Sequence, residues 1–295
     1  MTCASRTERA YAKINLVLRI LAREASGYHS IETLFQLLDL HDLVHVRVGP
    51  MTPALTCAGP TMPAGGLGPV EQNLAWRAAV AYTEASRWQT GWDIVIEKQI
   101  PVGGGLGGGS ADAAAVLRAL EAMSPRPLGL ARLLALAGTL GADVPFLVSG
   151  HSLAWAWGRG DRLLPLPALP PAAVWLATFA DGVNTGAAYG AFARAREARG
   201  ESAQAFAYPA LSFASWDAVA AVAVNDFEPV VSAMHAGVAA VLPVFRELAA
   251  QQRARGTPAI GMMSGSGATC VLLLSDGAMS IATDGSVAMV STVTR

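Results

Sequence analysis

The chain has 295 residues, enough for two domains or one large one with a sizeable core. Its formal net charge of -1 gives no basic footprint for nucleic acid, and although 53% of the residues are hydrophobic, apolar runs such as 172–180 and 238–245 fall far short of the roughly 18 residues a bilayer span needs. Three scattered cysteines, Cys3, Cys57 and Cys270, lack metal-ligand spacing and the chain opens without a signal-peptide pattern, so a soluble protein of the reducing cytoplasm is expected.

Residues 10–21 read as a strand of period two. Ala12, Ile14, Leu16 and Leu18 face one side, while Lys13 and Asn15 face the other. A polar strand face is ordinarily a solvated one, and the pair gains meaning only if an anion is bound nearby. A polar turn then leads to Gly27-Tyr28-His29, which on its own is ordinary surface. Residues 42–48 and 93–100 read as further strands, and residues 73–86 as a helix.

Between the strand at 93–100 and a helix over 112–123 lies Pro101-Val102-Gly103-Gly104-Gly105-Leu106-Gly107-Gly108-Gly109-Ser110-Ala111-Asp112, with six glycines in seven positions. Glycines this dense cost about 0.5–1 kcal/mol each in conformational entropy, so something must offset them, and phosphate binding fits better than a purely structural turn. A side-chain-free loop opening onto a helix N-terminus presents bare N–H groups and the positive end of the helix dipole, which suits phosphate. Gly103-x-Gly105-x-x-Gly108 satisfies the dinucleotide fingerprint by letter, but the nearest acidic residue at the required distance, Glu121, sits inside the helical pattern instead of ending a second strand. The Walker register fails too, because Gly109 occupies its lysine position. A triphosphate held this way needs a cation from elsewhere, and a lysine about 4 Å from a phosphate oxygen attracts it by ~4 kcal/mol at an effective dielectric of 20. Ser110, opening the helix, suits either a cap or a contact to phosphate-bound magnesium.

Further along, Gly141-Ala142-Asp143-Val144-Pro145-Phe146 places one carboxylate in an apolar turn, either as a turn residue or as the group that orients a hydroxyl during phosphoryl transfer. The proline-rich stretch 163–171 marks a domain boundary, giving domains 1–164 and 165–295. Beyond it come a strand at 173–179, the aromatic Tyr189, helices at 228–241 and 244–255 separated by Pro243, and the turn Ser264-Gly265-Ser266-Gly267-Ala268-Thr269, which either lines a site or simply enters a strand. The last 20 residues have weak strand character. The whole is a mixed α and β chain.

Taken together, Ala12 to Leu16, Gly27-Tyr28-His29, residues 35–40, the glycine segment, the Asp143 turn, Asn225 to Pro229 and Ser264 to Thr269 resemble the GHMP kinase superfamily, and within it the kinases that act on a cytidine diphosphate-linked methylerythritol. The match runs in order over about 260 of the 295 residues. The resemblance implies an α+β two-domain GHMP kinase fold, its N-terminal half like the second domain of ribosomal protein S5 and its C-terminal half ferredoxin-like. It implies ATP and Mg2+ as cofactors, a small-molecule substrate, no nucleic-acid or membrane partner, and a monomer or weak homodimer. By motif position Asp143 is the catalytic aspartate, Lys13 its partner cation and Asn15 a substrate-orienting amide. Pro101 to Ala111 bind ATP phosphates, with Ser110 the magnesium contact, and Asn73 and Leu74 lie where adenine is contacted. Tyr28, His29, Thr185 and Tyr189 match the cytidine side. Ala111 departs from the family, standing where many relatives carry a second hydroxyl, and residues 200–223 and the chain from Ser275 onward match nothing in it. Another small-molecule kinase of the superfamily and a non-catalytic nucleotide-binding module are the rival readings, with a dinucleotide oxidoreductase behind them.

Overall fold

Two strands of 20 and 21 residues, β1 (Ala4–Arg23) and β2 (His29–Gly49), organise the chain. The computed structural model describes residues 3–23, 29–200, 206–209, 211–276 and 287–295. They fold into two compact units, one of Met1–Ala12, Leu40–Val102 and Gly107–His151, the other of Lys13–Asp39, Gly103–Leu106 and Ser152–Arg295. Each long strand contributes one half to each unit, so both units are discontinuous in sequence. The proline-rich stretch, where composition suggested a boundary between 1–164 and 165–295, lies inside the second unit. Its first residues form β6 (Arg162–Leu166), and the Pro170 carbonyl accepts from Trp216 Nε1 at 2.8 Å.

In the first unit the sheet order is β3 (Ala54–Ala58), β4 (Gly91–Glu97), β2, β1. β4 pairs antiparallel with β2 from Leu43↔Glu97 to Gly49↔Gly91 and parallel with β3. Its period-two sequence buries Trp92, Ile94 and Ile96 as the alternation requires. Helix α1 (Leu74–Ser86) packs on α2 (Gly108–Met123), and both bury alanines, Ala75, Ala78 and Ala79 on one and a run at 113–115 on the other, small side chains that let two helix axes approach. Helices α3 (Leu130–Leu140) and α4 (Val144–Ser149) complete the unit.

In the second unit β5 (Leu153–Gly158) pairs antiparallel with β2 and with β6, while the short β8 (Val224–Asn225) runs parallel to β1. A separate antiparallel sheet has the order β11 (Ala288–Val293), β7 (Ala173–Thr178), β10 (Cys270–Leu274), β9 (Ala259–Met263). Helices α5 (Thr185–Ala198), α6 (Trp216–Val222), α7 (Glu228–Met234) and α8 (Ala236–Ala254) join it, and Phe227, Val231, Val238, Leu242 and Phe245 share one core with Met263 and Leu272. The helix break expected at Pro243 occurs instead at His235, whose extended backbone ends α7 and whose Nδ1 accepts from Val238 N at 3.2 Å to cap α8. α8 continues through Pro243 because the proline removes only one helical hydrogen bond, and continuation delivers Leu242 and Phe245 to the core. Part of the unmatched stretch 200–223 supplies Tyr208 and Phe213, which pack on Trp155 of β5 with ring centroids 4.6 and 5.0 Å away. Of the chain end, residues 277–286 lie outside the described residues, and β11 bears out the strand character.

Candidate active site

The glycine segment adopts a backbone that side chains oppose. Gly103, Gly105 and Gly107 have φ of 80°, 77° and 75°, alternating with residues of ordinary φ, the pattern that turns successive N–H groups toward a common anion. Helix α2 begins at Gly108, four residues before the expected Asp112, and its N-cap is Gly107. Ser110 therefore lies inside the first turn and does not cap the helix. Ala111 N–H donates to the Gly107 carbonyl at 2.8 Å and its methyl is buried, so the donors left at the helix end are those of Gly108, Gly109 and Ser110.

Lys13 and Asn15 form a buried polar pair in the second unit. Lys13 Nζ donates to Asn15 Oδ1 at 2.7 Å and to the Gly105 carbonyl at 3.2 Å, and Asn15 Nδ2 donates to Thr33 Oγ1 at 2.7 Å. Both residues are 4% exposed, which rules out the solvated-face reading of this strand. The second glycine turn lies against the same loop. Asn15 N donates to Ser264 Oγ at 3.3 Å, Ser264 Oγ donates to the Gly105 carbonyl at 3.4 Å, and Thr269 N donates to the Gly104 carbonyl at 3.2 Å. A Cβ at Gly104 would fall 2.5 Å from Thr269 Oγ1, a buried hydroxyl with no hydrogen-bond partner. Asn225 Nδ2 holds the turn from behind through the Met263 and Gly265 carbonyls, both at 2.8 Å.

In the first unit, Asp143 is the half-buried N-cap residue of the short α4, and Gly141 in the same turn adjoins Ser110, since a Cβ there would lie 3.9 Å from Ser110 Oγ. Asn73 caps α1, its Oδ1 accepting from Ala75 N at 2.9 Å and its Nδ2 pointing to Cys57 Sγ at 3.9 Å. Leu74 reaches the start of α2, with its Cδ1 3.8 Å from where a Gly109 Cβ would stand. Of the residues expected on the cytidine side, Tyr28 lies outside the described residues. His29 stacks on Tyr189 at 4.6 Å and 16°, and Thr185, one helical turn before Tyr189, has its Oγ1 2.9 Å from Ser266 Oγ.

Sequence reasoning passed over a buried ionic cluster beside the loop. Lys98 Nζ donates to Asp42 Oδ2 and, at 2.7 Å, to Asp112 Oδ2, with all three side chains at most 4% exposed. Burial pushes the Asp112 carboxyl up to about 7, with Lys98 pulling it back and Asp42 adding to the rise. Burial acts to lower the Lys98 ammonium, and the two carboxylates more than reverse it, holding it above its ordinary value. The available signal was Asp112 itself, an acidic residue among the alanines of a buried helix face.

Side-chain ligands for a metal are sparse. Among the described residues no group of three or more His, Cys, Asp or Glu could hold a metal ion, and no helix is long and apolar enough to cross a membrane. Magnesium fits here only in the way it accompanies nucleotides, on phosphate oxygens and water with few protein contacts.

A glycine nest opening onto a helix, buttressed by a second glycine turn and a buried lysine, on an α+β framework with two sheets, is the build of a GHMP kinase. Residues 73–151 match the family GHMP kinases N terminal domain. The crystal structure of a mevalonate kinase aligns with TM-score 0.62 at 10% identity, covering 98% of this chain and 99% of that one, a likeness of fold alone. A crystal structure of 4-(cytidine 5'-diphospho)-2C-methyl-D-erythritol kinase aligns with TM-score 0.65 at 31% identity over 98% of this chain and 99% of that one. The 4-diphosphocytidyl-2-C-methyl-D-erythritol kinase of Paracoccus denitrificans is 37% identical over 278 residues, 92% of this chain and 88% of that protein. This chain belongs to the 4-diphosphocytidyl-2-C-methyl-D-erythritol kinase family.

Proposed function

We propose that the chain transfers the γ-phosphoryl group of ATP to the 2-hydroxyl of 4-diphosphocytidyl-2-C-methyl-D-erythritol, in the non-mevalonate route to isoprenoid precursors. The observation that carries this is the Lys13 ammonium on the Gly105 carbonyl, which sets a buried cation against the phosphate loop of a family member. The bond from γ-phosphorus to the alcohol oxygen forms, the bond to the β,γ-bridging oxygen breaks, ADP leaves, and the hydroxyl proton passes to Asp143.

Little covalent chemistry falls to the protein in such a reaction, so its work is positioning and electrostatics. The N–H groups of Gly108, Gly109 and Ser110, with the turns at Gly103 to Gly107, take the phosphates, and Asn73 and Leu74 take the adenine end. Lys13 supplies positive charge for the group in transfer, while Asn15, fixed by Thr33, orients the acceptor. His29 and Tyr189 are a flat-faced pair suited to the cytosine ring, with Tyr28 and Thr185 completing that side. Ser110 Oγ is the residue for a magnesium contact, and the ion neutralises phosphate charge when bound. Three free cysteines accord with a cytoplasmic setting.

A coupled ADP-release assay with the cytidylyl substrate beside mevalonate and homoserine tests the reading. Turnover confined to the cytidylyl alcohol is expected, and preference for either other alcohol overturns it.

A further inference from the structure

We propose that Lys98, Asp42 and Asp112 form a buried ionic clamp that ties the entry of the glycine loop to its exit, which makes Asp112 and Lys98 positioning residues for the bound triphosphate. The inference rests on the reading that this loop takes ATP.

The clamp touches both ends of the loop within the first unit. On the entry side, Asp42 Oδ1 accepts from Gln99 N at 2.5 Å and Ile100 N at 2.8 Å, fixing the backbone immediately before Pro101. On the exit side, Asp112 sits one turn into α2, and its Oδ2 holds the same lysine that Asp42 holds. The two ends also meet sterically, because a Cβ at Gly108 would lie 3.2 Å from Ile100 Cγ2 and 3.5 Å from Lys98 Nζ. The glycines at 103, 104, 105 and 107 favour no one conformation of their own. Their two ends must be held, and the clamp is the feature that holds them.

Stability alone does not account for it. Two carboxylates and one ammonium withdrawn from water gain little over apolar residues of similar size, and Asp112 Oδ1 is left buried with no hydrogen-bond partner. Nor does the charge answer others around it. Helices α1, α3 and α4, which neighbour α2, contribute Ala79, Leu133 and Phe146 among their buried residues and no charged side chain. An ionic cluster at an otherwise apolar position, spanning the two ends of a loop that must keep one shape, is explained by the loop.

Steady-state kinetics and calorimetric titration with MgADP on the full chain test this. Asp112→Ala should raise KM for ATP and weaken ADP binding by about tenfold, while KM for the cytidylyl alcohol stays within about twofold. Asp112→Asn keeps an acceptor for Lys98 and should recover most of the loss, whereas Asp112→Leu, of similar size but with no acceptor, should not, a difference that a purely steric role does not give. If the alanine variant fails to fold, Lys98→Met with Asp112→Leu and Asp42→Asn removes the buried charge altogether, keeps an acceptor for Gln99 N and Ile100 N, and should fold yet bind ADP about tenfold more weakly. Wild-type nucleotide affinity in either folded variant, or an equal rise in KM for both substrates, overturns the clamp. Absence of ADP binding to the wild-type chain removes the underlying loop assignment instead, and the clamp with it.

Discussion

Lys13 and Asn15, two residues apart on β1, form a 2.7 Å hydrogen bond from Nζ to Oδ1 although both are buried. A buried ammonium needs partners, and Asn15 Oδ1 and the Gly105 carbonyl are two of them. Its contact with the Gly105 carbonyl sets the charge against the phosphate loop. Lys13→Met should lower kcat by about 10²–10³ with the fold intact, the scale for one preorganised transition-state contact. Asp143→Asn should do the same with KM for ATP nearly unchanged. If both residues serve one chemical step, the double variant falls no more than about tenfold below the worse single variant. Losses that multiply in full would show that the two act on separate steps.

The loop glycines differ in what replacement would meet, which separates strain from collision. At Gly103 a Cβ finds nothing within 4 Å, so Gly103→Ala suffers only the left-handed backbone, about 1–2 kcal/mol. At Gly105 the same strain adds to a Cβ 2.7 Å from the Ser264 carbonyl oxygen and 3.0 Å from that of Gly267. Backbone atoms cannot swing aside as side chains do, so the loop itself must move. Gly105→Ala should raise KM for ATP at least about tenfold, and Gly103→Ala by a smaller factor. Equal KM values for the two variants would mean that the close approach of the two glycine turns does not set nucleotide affinity.

How far the sequence could be read follows from whether a signal is local. Period two in residues 10–21 and 92–97 and the glycine density at 103–109 are local, and they located β1, β4 and the phosphate loop. The start of α2 came out four residues late because glycine disfavours a helix in isolation, whereas here Gly107 caps it and Gly108 leaves room for Ile100. Pro243 misled for the converse reason, since the burial of Leu242 and Phe245 outweighs a weak local preference. The two units could not be drawn from composition, because β1 and β2 contribute to both and no linker separates them. The Lys98 cluster was illegible for the plainest reason: Asp42, Lys98 and Asp112 are 56 and 14 residues apart.

Glu228 gives a pH dependence whose sign can be worked out. Its side chain is 8% exposed, and burial raises its carboxyl above the ordinary 4.5, with the Met263 N–H and Arg246 opposing the rise in part. The folded chain thus holds this proton more tightly than the unfolded chain. Its contribution to stability is greatest below about pH 4.5 and declines as pH rises through the folded value. Glu228→Gln keeps a carbonyl for the Met263 N–H at 2.8 Å and does not titrate. Urea unfolding of both proteins at several values between about pH 4.5 and 8 should show the variant gaining on the wild type as pH rises. A stability difference that is flat over that range would deny that burial governs this carboxyl.

The three thiols should report folding separately. Cys3 is exposed and Cys57 half-buried, whereas Cys270 on β10 is fully buried, its thiol pushed up to about 12 by burial and, less, by Glu228. Reaction needs the thiolate, so both burial and the raised value protect Cys270. With an aromatic disulfide reagent at about pH 8, Cys3 should react first, Cys57 slowly and Cys270 only when the chain unfolds. Because Cys57 lies beside Asn73, ADP bound at the proposed adenine end should slow its reaction further and leave Cys3 unaffected. Peptide mapping of the labelled protein assigns each rate. Cys57 labelling that ignores saturating ADP would move the adenine end of the site away from Asn73, and labelling of Cys270 in the folded chain would contradict the core around β10.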